Sequence, residues 1–228
     1  MTNEDTLKFQ REIYGANFRK HGDTPQGVFW NDEATQYLRF ERLLAEILRH
    51  EGANSFSLHD VGCGTCALFE YLSNAKVACE YSGTEIVPEM ILLCQQKYPD
   101  LDVQNRDIVS ENETQRYDYV TLSGVLNLRG ACPEDVWMTH CKRMLSSMFK
   151  MSRYGISFNF LTSKITVASD PTLQYMDPAE ILRYCHDTFS RFVIVDHSYP
   201  LFEVTVSVFK KEGMQRRYSS TQFAKYFK

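Results

Sequence analysis

The segment Leu58-His59-Asp60-Val61-Gly62-Cys63-Gly64-Thr65-Cys66-Ala67 carries the densest potential chemistry in this chain. Gly62 and Gly64 remove the Cβ atoms that would keep a ligand away from the backbone. Amide N–H groups at the start of a following helix would point into the same space. Further on come Glu85 with Ile86, and Asp107 with Ile108. A carboxylate at Glu85, beside a glycine loop, can accept both hydroxyls of a ribose. One at Asp107 can accept from an adenine amino group while the Ile108 backbone meets a ring nitrogen. An adenosine-bearing ligand fits this set, provided the acids end neighbouring strands at the carboxyl edge of an open α/β sheet.

The elements that must position these residues can be read from pattern. Asp32 to His50 is an amphipathic helix, with Phe40, Leu43, Leu44, Ile47 and Leu48 at three- and four-residue steps and Gly52 as its stop. Strands are expected at Phe56–Val61, Ala78–Thr84, Asp102–Arg106, Tyr117–Leu122, Tyr154–Phe160 and Phe192–Asp196. Helices alternate with them at Thr65–Asn74, Pro88–Tyr98, Pro133–Lys150 and from the capping box Asp177-Pro178-Ala179-Glu180 to about Thr188. Such alternation makes a parallel sheet covered on both faces. A last apolar run, Glu203–Lys210, follows too soon for a parallel crossover, so it should pair antiparallel. The expected fold is a doubly wound, Rossmann-like seven-stranded sheet with its last strand antiparallel and an N-terminal helical cap. Residues 1–50 are the cap segment and first helix, 51–213 the α/β domain, and 214–228 a tail with Arg216, Arg217, Lys225 and Lys228, expected to be solvated. The first thirty residues, with Phe9, Tyr14, Phe18, His21, Phe29 and Trp30, are expected to form short helices.

On these residues the chain resembles the class I S-adenosylmethionine-dependent methyltransferases of small-molecule type, over roughly Phe56 to Lys210. The resemblance rests on Asp60 to Thr65, Glu85 with Pro88, Asp107-Ile108 and Tyr117-Asp118-Tyr119-Val120. It implies that Asp60, Gly62, Cys63 and Gly64 meet the methionine part of S-adenosylmethionine, that Glu85 and Ile86 hold its ribose, and that Asp107 and Ile108 read its adenine. It places Ser123 to Asn127 along the cofactor and the substrate mouth, and likens Gly155–Phe160, Leu161 and Thr162 to the fifth-strand region. Cys66 stands where the family usually has a third glycine. The same loop also fits the nicotinamide fingerprint G-x-G-x-x-G/A at Gly62, Gly64 and Ala67, so an NAD-dependent oxidoreductase is the rival enzyme. Asp60, Asp107 and the antiparallel last strand speak against it.

The aromatic N-terminal segment would serve as a lid, with Trp30 on the substrate, Arg39 on the cofactor carboxylate, and Tyr14 and His21 as catalytic candidates. Asn127, Asn159 and Tyr175 complete the expected substrate contacts. His140, His197 and Asp118 are further possible bases, with His140 and His197 better read as structural. A base is dispensable for an amine or carboxylate acceptor, because alignment with a sulfonium methyl supplies most of the rate, whereas an alcohol or phenol needs deprotonation.

With 228 residues, 43% of them hydrophobic, and a net charge of −4, the chain suits one α/β domain and shows no electrostatic footprint for nucleic acid. No apolar run approaches the roughly 18 residues that span a bilayer, and the polar N-terminus does not read as a signal peptide. Seven cysteines, an odd number, suggest reduced thiols in the cytoplasm, and the absence of paired spacing among Cys79, Cys94, Cys132, Cys141 and Cys185 speaks against a metal site. Cys63-x-x-Cys66 could be a redox pair, although coincidence within a glycine loop is the plainer reading. Asn112-Glu113-Thr114 matches a glycosylation pattern that has no meaning without secretion. The expected partner is a small-molecule acceptor, free or tethered to a carrier protein. RNA or protein methylation and a non-catalytic cofactor-binding scaffold are the alternatives. Nothing in the sequence sets an oligomeric state.

Overall fold

A computed structural model describes residues 3–110, 115–166 and 169–227. The glycosylation pattern at 112–114 lies outside the described residues. The chain opens with helix α1 (Asn3–His21), a 3-10 turn (Pro25–Val28) and helix α2 (Glu33–Glu51). Alternation then begins: β1 (Phe56–Val61), α3 (Ala67–Asn74), β2 (Cys79–Glu85), α4 (Pro88–Lys97), β3 (Asp102–Asn105), β4 (Tyr117–Leu122), α5 (Glu134–Met151) and β5 (Ser152–Thr162). It closes with β6 (Tyr175–Met176), α6 (Pro178–Thr188), β7 (Phe192–Asp196), β8 (Glu203–Phe209), α7 (Lys211–Arg217) and a second 3-10 turn (Thr221–Phe227).

Local chemistry fixes the element ends. The Asp32 carboxylate accepts from Thr35 N at 2.7 Å to start α2, and Gly52, at φ 62°, stops it. The Asp177 carboxylate accepts from Ala179 N at 2.8 Å, with Pro178 in the first turn of α6.

Strand order is β3-β2-β1-β4-β5-β8-β7, with β6 pairing β5 off this path. The strands β1 to β5 run parallel, and β8 is antiparallel to both β5 and β7. The expected antiparallel last strand is therefore present, inserted between β5 and β7 rather than placed at the edge. The sheet has eight strands instead of seven, because two residues, Tyr175 and Met176, add to the end of β5. So short a strand has no periodic signal to read.

Both faces are packed. Trp137, Met144, Leu145 and Met148 of α5 and Ile181 of α6 bury one face with Val204, Val206 and Val208 of β8. Phe40, Leu43, Leu44 and Ile47 of α2 and Leu68 and Leu72 of α3 bury the other with Leu58 and Tyr119. The N-terminal segment departs from the expected short helices, since α1 is one helix of 19 residues. Lys211 to Arg217, partly inside the expected tail, form a helix against β5, and Phe227 is buried with its ring 5.9 Å from that of Phe192. Among the described residues, no helix is long and apolar enough to cross a membrane.

Candidate active site

The carboxyl ends of β1, β2 and β3 bring Asp60, Glu85 and Asp107 to the wall of one cavity of ≈ 440 Å³. Parallel pairing puts them there: Asp60 sits opposite Gly83 and Thr121, and Glu85 sits opposite Asn105. The volume lies in the range of roughly 300–1,000 Å³ usual for small-molecule sites.

Asp60 is buried, accepting from Tyr81 Oη at 2.8 Å and Thr121 Oγ1 at 3.2 Å. Burial pushes its carboxyl up to about 7, against the pull of those two hydroxyls. Glu85 Oε1 accepts from the backbone N–H of Ile86 (2.7 Å) and Val87 (2.9 Å), and Oε2 accepts from Gly64 N at 3.0 Å. Burial raises this carboxyl too, and the three amides oppose the shift. Asp107 accepts from Val109 N at 2.9 Å and from the Ser110 hydroxyl.

Gly62 has φ +70°, and a Cβ there would lie 2.4 Å from Val125 Cγ2, so only glycine fits. Cys66 adopts φ +66° as it leads into α3, which explains why glycine is the commoner residue at such a position. Its sulfur lies 2.9 Å from Cys94, not paired solely within the C-x-x-C, and the Cys94 thiol donates to Gly64 O at 3.3 Å. The Cys63 thiol is drawn down by its hydrogen bond with Cys66, but burial and the charges of Glu85 and Asp60 outweigh that and push it up to about 11. Burial therefore disfavours the thiolate form of Cys63.

The cavity extends from this row of acids under α1, the first 3-10 turn and α2, to the ends of β4, β5 and β8. Helix α1 is tied across it: Gln10 Nε2 donates to Leu128 O at 2.6 Å, and Arg11 Nε to Ile86 O at 2.9 Å. The Trp30 ring packs on the backbone of Gly124, with the Arg39 guanidinium 4.0 Å from its centroid. Tyr14 meets Phe29 edge-on at 5.2 Å. The Asn159 side chain sets the mouth, accepting from Gly124 N at 2.7 Å and donating to Ser123 Oγ at 3.2 Å.

This geometry agrees with sequence kinship. A methyltransferase-domain model matches residues 59–147. The Mycobacterium tuberculosis protein Rv1506c, itself named as a methyltransferase, is 32% identical over 160 residues, which cover 69% of this chain and 95% of that one. The chain belongs to the class I S-adenosylmethionine-dependent methyltransferases. The magnesium protoporphyrin IX methyltransferase of Synechocystis PCC 6803, solved with S-adenosylmethionine bound, shares its fold at 14% identity and a TM-score of 0.64, over 90% of this chain and 97% of that one. The Burkholderia thailandensis 1,6-didemethyltoxoflavin-N1-methyltransferase shares it at 13% identity and a TM-score of 0.64, over 92% and 91% of the two chains.

In this methyltransferase the residues that chemistry singled out do not all converge. Asp60, Gly62, Cys63, Gly64, Glu85, Ile86, Asp107, Ile108, Ser123, Tyr14, Trp30, Arg39 and Asn127 line the cavity. Asn159 does not line it but holds the Ser123-Gly124 corner. His21 is exposed at the end of α1, away from the lining, so it is no base for this site. One continuous helix carries it past the mouth, where short helices were expected. Tyr175 is also outside the lining, where its hydroxyl accepts from Asp170 N at 3.2 Å. His197 is exposed, and Asp118 lies at the opposite end of β4, accepting from Ser57 N at 3.0 Å. Arg39 is buried in an ion pair with Glu203 at 2.8 Å, so part of its guanidinium is not free for a cofactor carboxylate.

Among the polar cavity residues, Gln10, Gln36 and Glu203 were not expected from the sequence, and His140, read there as structural, also lines the cavity. Buried His140 packs on Trp137 at 5.4 Å between ring centroids, and burial lowers its pKa, which keeps it neutral. Tyr14 is held protonated by burial and by the charge of Glu85, so it is a hydrogen-bond donor rather than a base. The signal for Glu203 was an acid opening an otherwise apolar strand. For Gln36 it was its place two turns before Leu43 on a buried helix face.

Proposed function

We propose that this methyltransferase passes a methyl group to a nucleophile on a small molecule, free or carrier-tethered, in the cytoplasm, and releases S-adenosylhomocysteine. One observation carries the reading. A single cavity joins the three strand-end acids to a chamber lined by Phe29, Trp30, Leu128, Leu161 and Leu173. The first part suits an adenosine with an amino-acid tail, and the second an apolar acceptor. The named substrates of the two solved relatives, a porphyrin and a toxoflavin precursor, are small molecules as well.

The cofactor supplies an activated methyl on a sulfonium. Glu85 retains acceptor capacity at Oε2 for a ribose hydroxyl, since a carboxylate has about four acceptor positions and three are filled by backbone amides. Asp107 with the Ile108 amide would take the adenine. Asp60 faces the amino-acid tail, where a cationic ammonium would restore its charge. Helix α1 and Trp30 exclude water and hold the acceptor in line, which is where most of the acceleration arises.

Calorimetric titration with S-adenosylhomocysteine tests the reading, with NAD in parallel. We expect micromolar binding of the first and none of the second. Glu85→Gln should weaken it roughly 10- to 100-fold, equivalent to about 1.5–3 kcal/mol for hydrogen bonds to a charged group. Binding of NAD alone would overturn the assignment.

A further inference from the structure

The end of the cavity away from the glycine loop contains a carboxylate oxygen with no hydrogen-bond partner among the described residues. Glu203 opens β8, borders the cavity, and has a side chain only 1% exposed. Its Oε1 accepts from Arg39 Nε at 2.8 Å. Its Oε2 is buried and has no hydrogen-bond partner among the described residues. A buried charged acceptor left unpaired is costly, so such an atom calls for a reason.

The neighbouring groups do not supply one. Arg39 is held on the Oε1 side, donating from Nη1 to Thr35 O at 2.9 Å with Trp30 over its face. The Tyr199 hydroxyl is paired with Thr205 Oγ1 at 3.0 Å. Gln36, one turn before Arg39, is buried at the cavity wall with no side-chain partner among the described residues. Topology separates this end from the cofactor loop. Glu203 pairs with Leu161 of β5, and β5 pairs with β4, so Glu203 stands two strands beyond β4 and on the far side from Gly62. At roughly 4.8 Å per strand Glu203 lies about 10 Å beyond β4 and about 14 Å beyond β1, where it would meet the remote end of an acceptor that spans the chamber.

We propose that Glu203 Oε2 accepts a hydrogen bond from an N–H or O–H on the end of the acceptor remote from the transferred methyl, so that this pocket selects an amine or hydroxyl on an apolar frame and rejects a carboxylate there. The inference rests on the methyl-transfer reading above. The contact recognises and positions the acceptor and takes no part in the bonds made and broken at the methyl. Arg39 fixes the carboxylate orientation through Oε1 and leaves Oε2 open for it. A carboxylate at this end has no hydrogen to donate and would set a like charge against Oε2.

The test is a binding comparison on the full chain saturated with S-adenosylhomocysteine, titrated in the same cell with benzylamine, benzyl alcohol and benzoate. Wild type should bind benzylamine and benzyl alcohol at least tenfold more tightly than benzoate. Glu203→Gln should keep its affinity for S-adenosylhomocysteine within about threefold and lose that preference. Equal binding of the three probes, tighter benzoate, or no binding of either hydrogen donor by the wild-type complex overturns the proposal, and this arm needs no variant to fold. A folded Glu203→Gln protein with the preference intact overturns it as well. If S-adenosylhomocysteine itself does not bind wild type, the methyl-transfer reading fails, which is a separate result from a loaded protein that does not discriminate.

Discussion

At the scale of single residues, burial sets the chemistry of this site. Asp60 is an acid enclosed by Tyr81 and Thr121, with its carboxyl raised to about 7. A carboxyl whose folded pKa lies above its unfolded value stabilises the fold in acid, fully so below the unfolded value near 3.8. That contribution drains away as the pH rises through about 7. Wild type without cofactor should therefore lose stability between pH 4 and 8 relative to Asp60→Asn, by an amount of order 4 kcal/mol for a shift of about three pKa units. Thermal or urea unfolding of both proteins across that range checks it, and parallel curves would show that Asp60 does not titrate with folding. Sequence reasoning found Asp60, Glu85 and Asp107 because strand-end acids beside a glycine loop are a local pattern. It preferred His21 to His140 because aromatic company suggested a lid, whereas helix α1 carries His21 into solvent and α5 turns His140 inward.

At the scale of elements, α1 covers the cavity. Its closure depends on Phe9 lying against Gly130, whose φ is +57° and whose Cβ, if it had one, would lie 2.0 Å from Phe9 Cζ. Gly130→Ala adds both a left-handed strain of about 1–2 kcal/mol and a clash that pushes Phe9 off its seat. We expect α1 to open roughly 5–30 times more often, read as faster proteolysis within residues 3–21 and weaker binding of S-adenosylhomocysteine. Unchanged cleavage would mean that Gln10 and Arg11 hold the helix without Phe9. The boundaries of α2, α4, α5 and α6 were legible to within a residue or so, because caps and prolines mark helix ends locally. The continuity of α1 was not, since its polar, weakly amphipathic sequence has no period strong enough to separate one long helix from several short ones.

At the scale of the whole molecule, the chain end is fastened to the body. Arg216 of α7 donates to the fully buried Glu51 carboxylate, which also accepts from Tyr119 Oη at 2.6 Å. The Arg216 guanidinium lies 4.9 Å from the Tyr154 ring centroid. Removing it with Arg216→Ala strands a buried charge, so we expect a loss of about 1–3 kcal/mol, tempered by the 39% exposure of the arginine side chain. Glu51→Gln in the same chain should recover part of it. Chemical unfolding of the single and double variants measures this, and an Arg216→Ala protein as stable as wild type would show that α7 is held by packing alone. The basic character of residues 214–228 suggested a solvated tail, and nothing local announces that Glu51, 165 positions away, awaits Arg216.

The sequence alone determined the parallel α/β class, the glycine loop with its three acids, the cofactor they imply and the antiparallel last strand. Each of these depends on residue types at short spacing or on the length of one connection. Tertiary structure decided where β8 inserts, which histidine reaches the cavity, and that Arg39 meets Glu203 across 164 positions. It also decided that a carboxylate oxygen of Glu203 has no partner among the described residues. Those outcomes depend on which elements are neighbours in space, and neighbours are chosen by the packing of the whole sheet rather than by any segment of it.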